Sequence, residues 1–326
     1  TSIINELGGC LKMKKSNITK AKPFVKWAGG KTQLLPVINE KLPKELTPIG
    51  EEKGDFTRYV EPFVGSGAVL FHVLQNYNID EAYIFDINPE LILVYRVIKE
   101  KVDDLIASLK TMEEKYLPLD SEGRKEVYYN QRYAFNEKVS SFDFEKLDKE
   151  SVERAAQFIF LNRTCFNGLF RVNKSGEFNV PMGSYKNPAI CNPENLIEVN
   201  KLLQKIKIFN KDYKYSEKFI TNETFVYFDP PYRPISTSSS FTSYSKYDFQ
   251  DEQQIELADF FNKVDKEIGA KLMLSNSNPK HTNPDDDFFE KLYEGFVIEQ
   301  VSARRNINSK SSGRGSITEL LIRNYD

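Results

Sequence analysis

The sequence predicts an α/β protein: a doubly wound, mostly parallel sheet of seven strands, interrupted by an inserted unit of helices and a β-hairpin. Three observations carry this. Short runs rich in β-branched and aromatic residues recur, and several end abruptly in an acid or a glycine turn, as buried parallel strands do at their carboxyl ends. Amphipathic helical stretches separate these runs. After Lys99 the pattern changes to charged, tyrosine-rich helical segments without a strand signal. The halves 20–99 and 196–326 are therefore expected to form one discontinuous domain around an insert, 100–195, with residues 1–19 as an N-terminal extension.

Taken in order, residues 22–38 hold Trp27-Ala28-Gly29-Gly30-Lys31-Thr32 before a short helix around Leu34 to Ile38. A phosphate loop would need a glycine where Val25 stands, so the stretch reads as a core tryptophan beside a turn or as a wall and backbone cradle for a small ligand. Arg58 to Phe71 is a strand running through Glu61-Pro62-Phe63-Val64-Gly65-Ser66-Gly67 into an apolar helix. Leu70 replaces the third glycine of a dinucleotide fingerprint, so the turn suits a nucleoside with an amino-acid tail rather than a pyrophosphate. The next strand, Ala82 to Asn88, carries Asp86 at its tip, where wound sheets hold ribose hydroxyls. A helix is expected over Pro89 to Lys99, capped by Asn88 or Asp86.

The insert ends in two extended pieces around Asn173-Lys174-Ser175-Gly176, a hairpin signal over about 166–185. With Arg171 and Lys174 on it, the ribbon is either an ordinary surface hairpin or one shaped for a DNA major groove. Strands follow at Lys207 to Tyr213, with Asp212 near its end, and at Thr224 to Phe228. The latter ends in Asp229-Pro230-Pro231-Tyr232, a carboxylate, a rigid carbonyl and an aromatic ring at the ligand-binding edge of the sheet. Ile235 to Tyr247 reads as a loop that orders over substrate. Strands at Lys271 to Ser277, Phe296 to Ile298 and Leu320 to Ile322 complete the sheet. Arg304 and Arg305 lie in a basic loop suited to solvent or to phosphates.

Composition narrows the classes. The chain has 326 residues, 45 Lys+Arg against 47 Asp+Glu, and a formal net charge of −2, which excludes a nonspecific basic coat and leaves room for a local basic face. No apolar stretch is long enough to span a bilayer, and Thr1 to Asn17 lacks a signal-like apolar core, so a cytoplasmic protein without a membrane partner is expected. Cys10, Cys165 and Cys191 are scattered and the histidines are only His72 and His281, so neither a disulfide framework nor a metal site is expected. A zinc deaminase signature is absent.

Together these motifs resemble the Dam/DpnM-like DNA adenine-N6 methyltransferases of the α group, from about Pro23 to the end of the chain. The resemblance implies a Rossmann-like methyltransferase sheet, S-adenosyl-L-methionine (AdoMet) as cofactor and double-stranded DNA as partner. It implies that Trp27, Gly30 and Lys31 belong to the cofactor segment, and that Glu61, Phe63, Gly65 and Gly67 hold the methionine part. Asp86 would bind the ribose, Asp212 would lie near the cofactor adenine, and Asp229 to Tyr232 would be catalytic, with Asp229 also bordering the cofactor. Asn167, Leu169, Arg171, Pro181 and Tyr185 match base-reading positions of relatives that recognise GATC, and a longer site containing GAT is the alternative. The resemblance also implies a possible companion restriction endonuclease and a monomer or weak dimer. Rival readings are an amino methylase acting on RNA or on a protein glutamine, for which Asn would replace Asp229, and a silent DNA-binding subunit. The N-terminal extension and the polar stretch from Pro48 to Asp55 depart from the family pattern.

Overall fold

The computed structural model describes residues 20–234, 249–302 and 318–326. Its strands are β1 (Arg58–Glu61), β2 (Glu81–Phe85), β3 (Ile206–Phe209), β4 (Thr224–Phe228), β5 (Lys271–Ser277), β6 (Val297–Ser302) and β7 (Thr318–Arg323). They form one seven-stranded sheet in the order β3-β2-β1-β4-β5-β7-β6. β1 to β5 pair in parallel, and β7 runs antiparallel to both β5 and β6. Val60 of β1 registers with Tyr83 on one side and Val226 on the other. The chain builds outward from β1 through β2 to β3, then crosses back to lay β4 on the free side of β1. The topological switch point, where wound sheets bind ligands, thus lies at the carboxyl ends of β1 and β4.

Alternate side chains of the strands bury on opposite faces. Tyr59, Ile84, Phe225, Tyr227 and Met273 join the core under α2 (Ala68–Asn76), α3 (Pro89–Tyr116), α5 (Lys149–Thr164) and α6 (Pro193–Leu203). Val60, Tyr83, Val226, Phe228 and Leu274 face α7 (Asp251–Glu267) and α8 (Phe288–Leu292). Burial on both faces explains why the strands read as unbroken apolar runs. A short α1 (Leu35–Glu40) and α4 (Ser121–Glu137) complete the helices.

Two elements differ from expectation. The helix expected to stop at Lys99 continues to Tyr116 as one 28-residue element with a break at Lys101 (φ −137°, ψ 35°). The charged run Lys99-Glu100-Lys101 hides the continuation, yet Leu105, Ile106 and Leu109 beyond it are buried in the same core as Tyr59. Asn88 caps its start, its side-chain oxygen accepting from the Glu90 and Leu91 amides. The expected hairpin forms no regular strand among residues 166–185, only the bridges Val172↔Phe178 and Cys165↔Met182. Its tip turns at Asn173, whose amide donates to the Glu177 carbonyl at 2.9 Å. Side chains of α4 replace a neighbouring strand. The Asn136 carboxamide accepts from the Phe178 amide (2.8 Å) and donates to its carbonyl (2.9 Å), and the Tyr128 hydroxyl donates to the Val180 carbonyl (2.8 Å).

The start of α3 is tied to α5 by a buried ion pair. Arg154, 2% exposed, donates from Nε and Nη2 to the Glu90 carboxylate and stacks on Phe135 at 4.1 Å. Removing one partner strands the other charge away from water, at a cost of about 3–5 kcal/mol. Glu90→Ala is therefore expected to lose about that much stability in urea unfolding, whereas the exposed pair Lys149–Glu153 is expected to contribute less than about 0.5 kcal/mol.

Candidate active site

At the tip of β4 the ladder stops because two successive prolines have no amide to donate. The loop that follows is held from below by β5 and α7. Gln254 Nε2 donates to the Pro231 carbonyl (2.9 Å), the Arg233 amide donates to Asn276 Oδ1 (3.2 Å), and Ser277 Oγ donates to the Arg233 carbonyl (2.7 Å). Among the described residues, none donates to the Pro230 carbonyl. Asp229 Oδ1 lies 2.9 Å from Lys31 Nζ, and the Asp229 side chain keeps 20% of its surface open. Lys31 is almost fully buried. Its ammonium also donates to the Gly29 carbonyl (2.5 Å) and lies 4.3 Å from the centre of the Tyr232 ring. The Tyr232 hydroxyl donates to Glu319 of β7. Crowding by protein atoms pushes the Asp229 carboxyl up to about 6, against the pull of Lys31.

Lys31 reaches this point because the preceding segment is stapled down. Residues 21–26 have no regular structure, and three carboxamides supply their hydrogen bonds. Gln75 of α2 accepts from the Ala21 amide and donates to the Ala21 carbonyl, at 2.7 and 3.0 Å. Asn195 of α6 does the same for Lys22 at 2.8 and 3.0 Å, and Asn162 of α5 for Lys26 at 2.8 and 2.8 Å. Arg163 donates to the Phe24 carbonyl (2.8 Å). Each carboxamide imitates a strand neighbour, satisfying backbone that would otherwise be buried unpaired.

The glycine turn lies alongside. Gly65 and Gly67 have φ of 51° and 79°, which disfavours a side chain, and a Cβ on Gly67 would stand 2.6 Å from the Tyr95 hydroxyl. Trp27 covers Gly65, leaving 3.1 Å between its ring and a Cβ built there, and stacks on Phe170 at 5.6 Å. Asp86 Oδ2 accepts from the Gly65 amide (3.1 Å) and Oδ1 from the Asn88 amide (2.9 Å). Burial pushes the Asp86 carboxyl up to about 6 despite these bonds. Beside it Ile87 is exposed, an apolar edge next to an acid. Glu61 is buried at the end of β1, accepts from the Tyr59 hydroxyl (2.7 Å), and is held well above the usual carboxylate range by burial. Phe63 is half-buried and stacks on Tyr213 at 5.3 Å. Asp212 is exposed and bonds the Lys214 amide (2.9 Å). The turn thus offers a side-chain-free surface, an acid that accepts hydroxyls and an apolar edge. That donor set fits a nucleoside carrying an amino-acid tail.

The structure gathers Lys31, Asp229 and Tyr232 at one point and joins Trp27, Gly65 and Asp86 at the turn after β1, where the Asp229 charge helps hold the Glu61 carboxyl up. Gly30 is exposed at the loop crest. Lys31, expected with the cofactor, turns its ammonium onto Asp229, a residue expected to border the cofactor as well. The ribbon residues Asn167, Leu169, Arg171, Pro181 and Tyr185 lie on the insert. Arg171 Nε donates to Asn179 Oδ1 (2.8 Å), Asn167 is exposed with φ 55°, and Pro181 is exposed. Lys26 Nζ lies 4.5 Å from the Tyr185 ring centre, which brings the N-terminal segment to the ribbon. Phe166, beside Asn167 at the start of the ribbon, is 51% exposed. Arg304, Arg305 and the 235–247 loop lie outside the described residues. Among the described residues no group of three or more His, Cys, Asp or Glu could hold a metal, and no helix is long and apolar enough to cross a membrane.

A sheet in this strand order, with a glycine turn after β1, an acid after β2 and Asp-Pro-Pro-Tyr after β4, defines a Rossmann-like methyltransferase. A family model described as "D12 class N6 adenine-specific DNA methyltransferase" matches residues 27–307. The type II methyltransferase M.MjaIII of Methanocaldococcus jannaschii is 53% identical over 94% of this chain and 100% of its own. The type II methyltransferase M1.LlaDCHI of Lactococcus lactis is 38% identical over 95% of this chain and 98% of its own, and a DNA adenine methylase of Vibrio cholerae is 34% identical over 93% and 95%. The chain belongs to the D12 class of N6 adenine-specific DNA methyltransferases; it is an adenine-specific DNA methyltransferase and its substrate is DNA.

The Lys31 contact predicts a pH effect. Lys31 holds the Asp229 carboxyl down, so removing the ammonium raises it further above about 6. A protonated Asp229 loses acceptor capacity, so activity falls on the acid side. Lys31→Met is expected to move the acid limb of the kcat/KM profile for methylation to higher pH, with a larger loss at pH 7 than at pH 9. A limb that stays in place contradicts this coupling.

Proposed function

We propose that this enzyme transfers a methyl group from AdoMet to the N6 amine of an adenine turned out of double-stranded DNA, with GATC as the favoured site and a longer site containing GAT as the alternative. The observation that carries this reading is the pair of acceptors at the β4 tip: the Asp229 carboxylate and a Pro230 carbonyl with no donor among the described residues. The amine of adenine is a poor nucleophile because its lone pair is delocalised into the ring. Two acceptors on its two hydrogens localise that pair toward the methyl donor and stabilise the positive charge that develops on nitrogen.

Bound AdoMet would supply the electrophilic methyl group and leave as S-adenosylhomocysteine, with the methylated amine giving up one proton to solvent. Trp27, Gly30, Glu61, Phe63, Gly65, Gly67 and Asp86 would hold it, with Asp212 at its far end. Asp229 and Pro230 position the amine, and Pro231 rigidifies the turn. Tyr232 offers its ring face to the extruded base, which requires Lys31 to yield one side of that ring. Extrusion costs a few kcal/mol, which stacking on Tyr232 offsets. Lys31 then releases Oδ1 to the amine while keeping Asp229 ionised. Catalysis on this account rests on positioning and fixed dipoles.

Site choice is assigned to the ribbon. Arg171, whose Nε and Nη2 donate to Asn179, would present its Nη1–Nη2 edge to O6 and N7 of guanine. Leu169 and Pro181 supply apolar contact, Asn167 and Tyr185 complete the edge contacts, and Arg304 and Arg305 contact phosphates. The two type II names among the relatives support a place beside a restriction endonuclease, and a DNA substrate agrees with the cytoplasmic location expected from the sequence.

Asp229→Ala is expected to lower single-turnover methylation of a GATC duplex at least 10²- to 10³-fold, by analogy with loss of one oxyanion donor. Near-normal methylation overturns the mechanism. Arg171→Ala is expected to relax discrimination at the guanine by about 1–3 kcal/mol. An equal loss on every single-base variant would make Arg171 a backbone contact. Sequencing of methylated plasmid reads the site itself, and modification confined to longer sites containing GAT would replace GATC.

A further inference from the structure

β5 begins as an apolar strand, Lys271-Leu272-Met273-Leu274, and turns polar at its tip as Ser275-Asn276-Ser277. Asn276 is 0% exposed and Gln254 on α7 is also 0% exposed, in a core that otherwise holds Leu257, Phe261 and Leu274. Two carboxamides there are costly unless every bond is made. They bond each other, Asn276 Nδ2 donating to Gln254 Oε1 at 3.0 Å. Their remaining groups go to the catalytic loop. Gln254 Nε2 donates to the Pro231 carbonyl, and Asn276 Oδ1 accepts from the Arg233 amide and from its neighbour Ser277.

These two bonds fall on either side of Tyr232 and fix the two peptide planes that flank it. They also act on a group neither touches. The Pro230 and Pro231 carbonyl planes are separated by φ and ψ of Pro231, and the proline ring locks φ. One soft angle is left, and holding the Pro231 carbonyl fixes it. Gln254 therefore aims the Pro230 carbonyl without bonding it. Arg233 anchors the loop further out, donating from Nε to Asp251 (2.8 Å) and from Nη1 to Asp286 (2.7 Å).

We propose that Gln254 and Asn276 are positioning residues for methyl transfer, setting the direction of the Pro230 carbonyl and the pose of Tyr232 through the Pro231 carbonyl and the Arg233 amide. This rests on the reading of Asp229 and Pro230 as the acceptors for the amine. Variants in this pair spare the glycine turn and the ribbon, so binding is separable from chemistry.

The experiment uses the full chain, a GATC duplex with 2-aminopurine at the target adenine to report extrusion, and an ordinary duplex for single-turnover methylation at saturating AdoMet. Gln254→Met keeps length and removes both polar contacts. It is expected to lower the methylation rate on the order of 10- to 100-fold, the effect of a small misplacement of reacting groups, with duplex and AdoMet affinities within about twofold of the parent. Asn276→Asp keeps an acceptor for the Arg233 amide and sets an oxygen against Gln254 Oε1 in place of the donor, so Gln254 loses its support and the rate is expected to fall as well. Rates are normalised to the duplex-binding fraction, which removes any loss from misfolding, and Asn276→Asp carries the test if Gln254→Met does not fold. An unchanged rate, or a loss confined to affinity or melting temperature, overturns the proposal. Asp229→Ala is run alongside: if it stays active, the acceptor reading itself fails; if it is inactive while the Gln254 and Asn276 variants are normal, only the positioning role fails.

Discussion

The contact between the Lys31 ammonium and the Asp229 carboxylate joins two parts of the chain that share no secondary structure. Asp229 stands at the tip of a central strand among oxygens: buried Glu61, half-buried Glu319 and the hydroxyls of Tyr59, Tyr227 and Tyr232 all oppose its negative charge or are opposed by it. One cation in that neighbourhood keeps the acid from rising further, because attraction at 2.9 Å in a partly desolvated site is only weakly screened. The ammonium is compact and carries three donors, which suits three partners in different directions, the Gly29 carbonyl, Asp229 and the Tyr232 face. An arginine fork would not fit that arrangement.

Everything that places Lys31 follows from this constraint. A loop cannot enter a core with its amides and carbonyls unpaired, and the segment before Lys31 has no strand beside it. Carboxamides from α2, α5 and α6 take that role, each paired with one residue of the segment. Because Asn162 sits on α5, near the ribbon, the same staples connect the acceptor site to the insert. Asn162 Nδ2 also donates to the Gly168 carbonyl at 3.2 Å. A Cβ on Gly168 would stand 2.3 Å from Lys26 Cδ, so the ribbon base and the N-terminal segment meet with no room for a side chain. The insert and the sheet share one core, since Tyr128 and Phe158 belong to the cluster that holds Tyr59 and Val69.

The strands were legible because two-sided burial writes each as an apolar run, and the prolines and glycines after them mark where each stops. The same logic reads Asp229, Asp86 and the Gly65 turn as strand-tip groups along the ligand-binding edge of the sheet. What escaped reading depends on side chains that carry no periodic signal. The continuation of α3 past Lys101 is masked by surface charge, although its buried residues keep helical spacing. The ribbon pairs through single bridges rather than a regular ladder, its outer edge is bonded by Asn136 and Tyr128, and nothing in the ribbon's own sequence announces partners some forty to fifty residues upstream. Gln254 and Asn276 look like surface amides in a list of residues; only their burial and their bonds to the loop reveal a task. Lys31 reads as part of a glycine-rich loop, and its reach to Asp229 is a tertiary fact.

In the proposed mechanism the β4 tip offers two acceptors to an adenine amine and Lys31 gives way to it. A crystal structure of the enzyme with a GATC duplex and a non-reactive AdoMet analogue tests this directly. The account predicts N6 of an extruded adenine within about 3 Å of both an Asp229 oxygen and the Pro230 carbonyl, the Tyr232 ring against the base, and the Lys31 ammonium displaced from Oδ1. An extruded adenine bonded elsewhere, with the Lys31–Asp229 contact intact and the Pro230 carbonyl facing solvent, would contradict it.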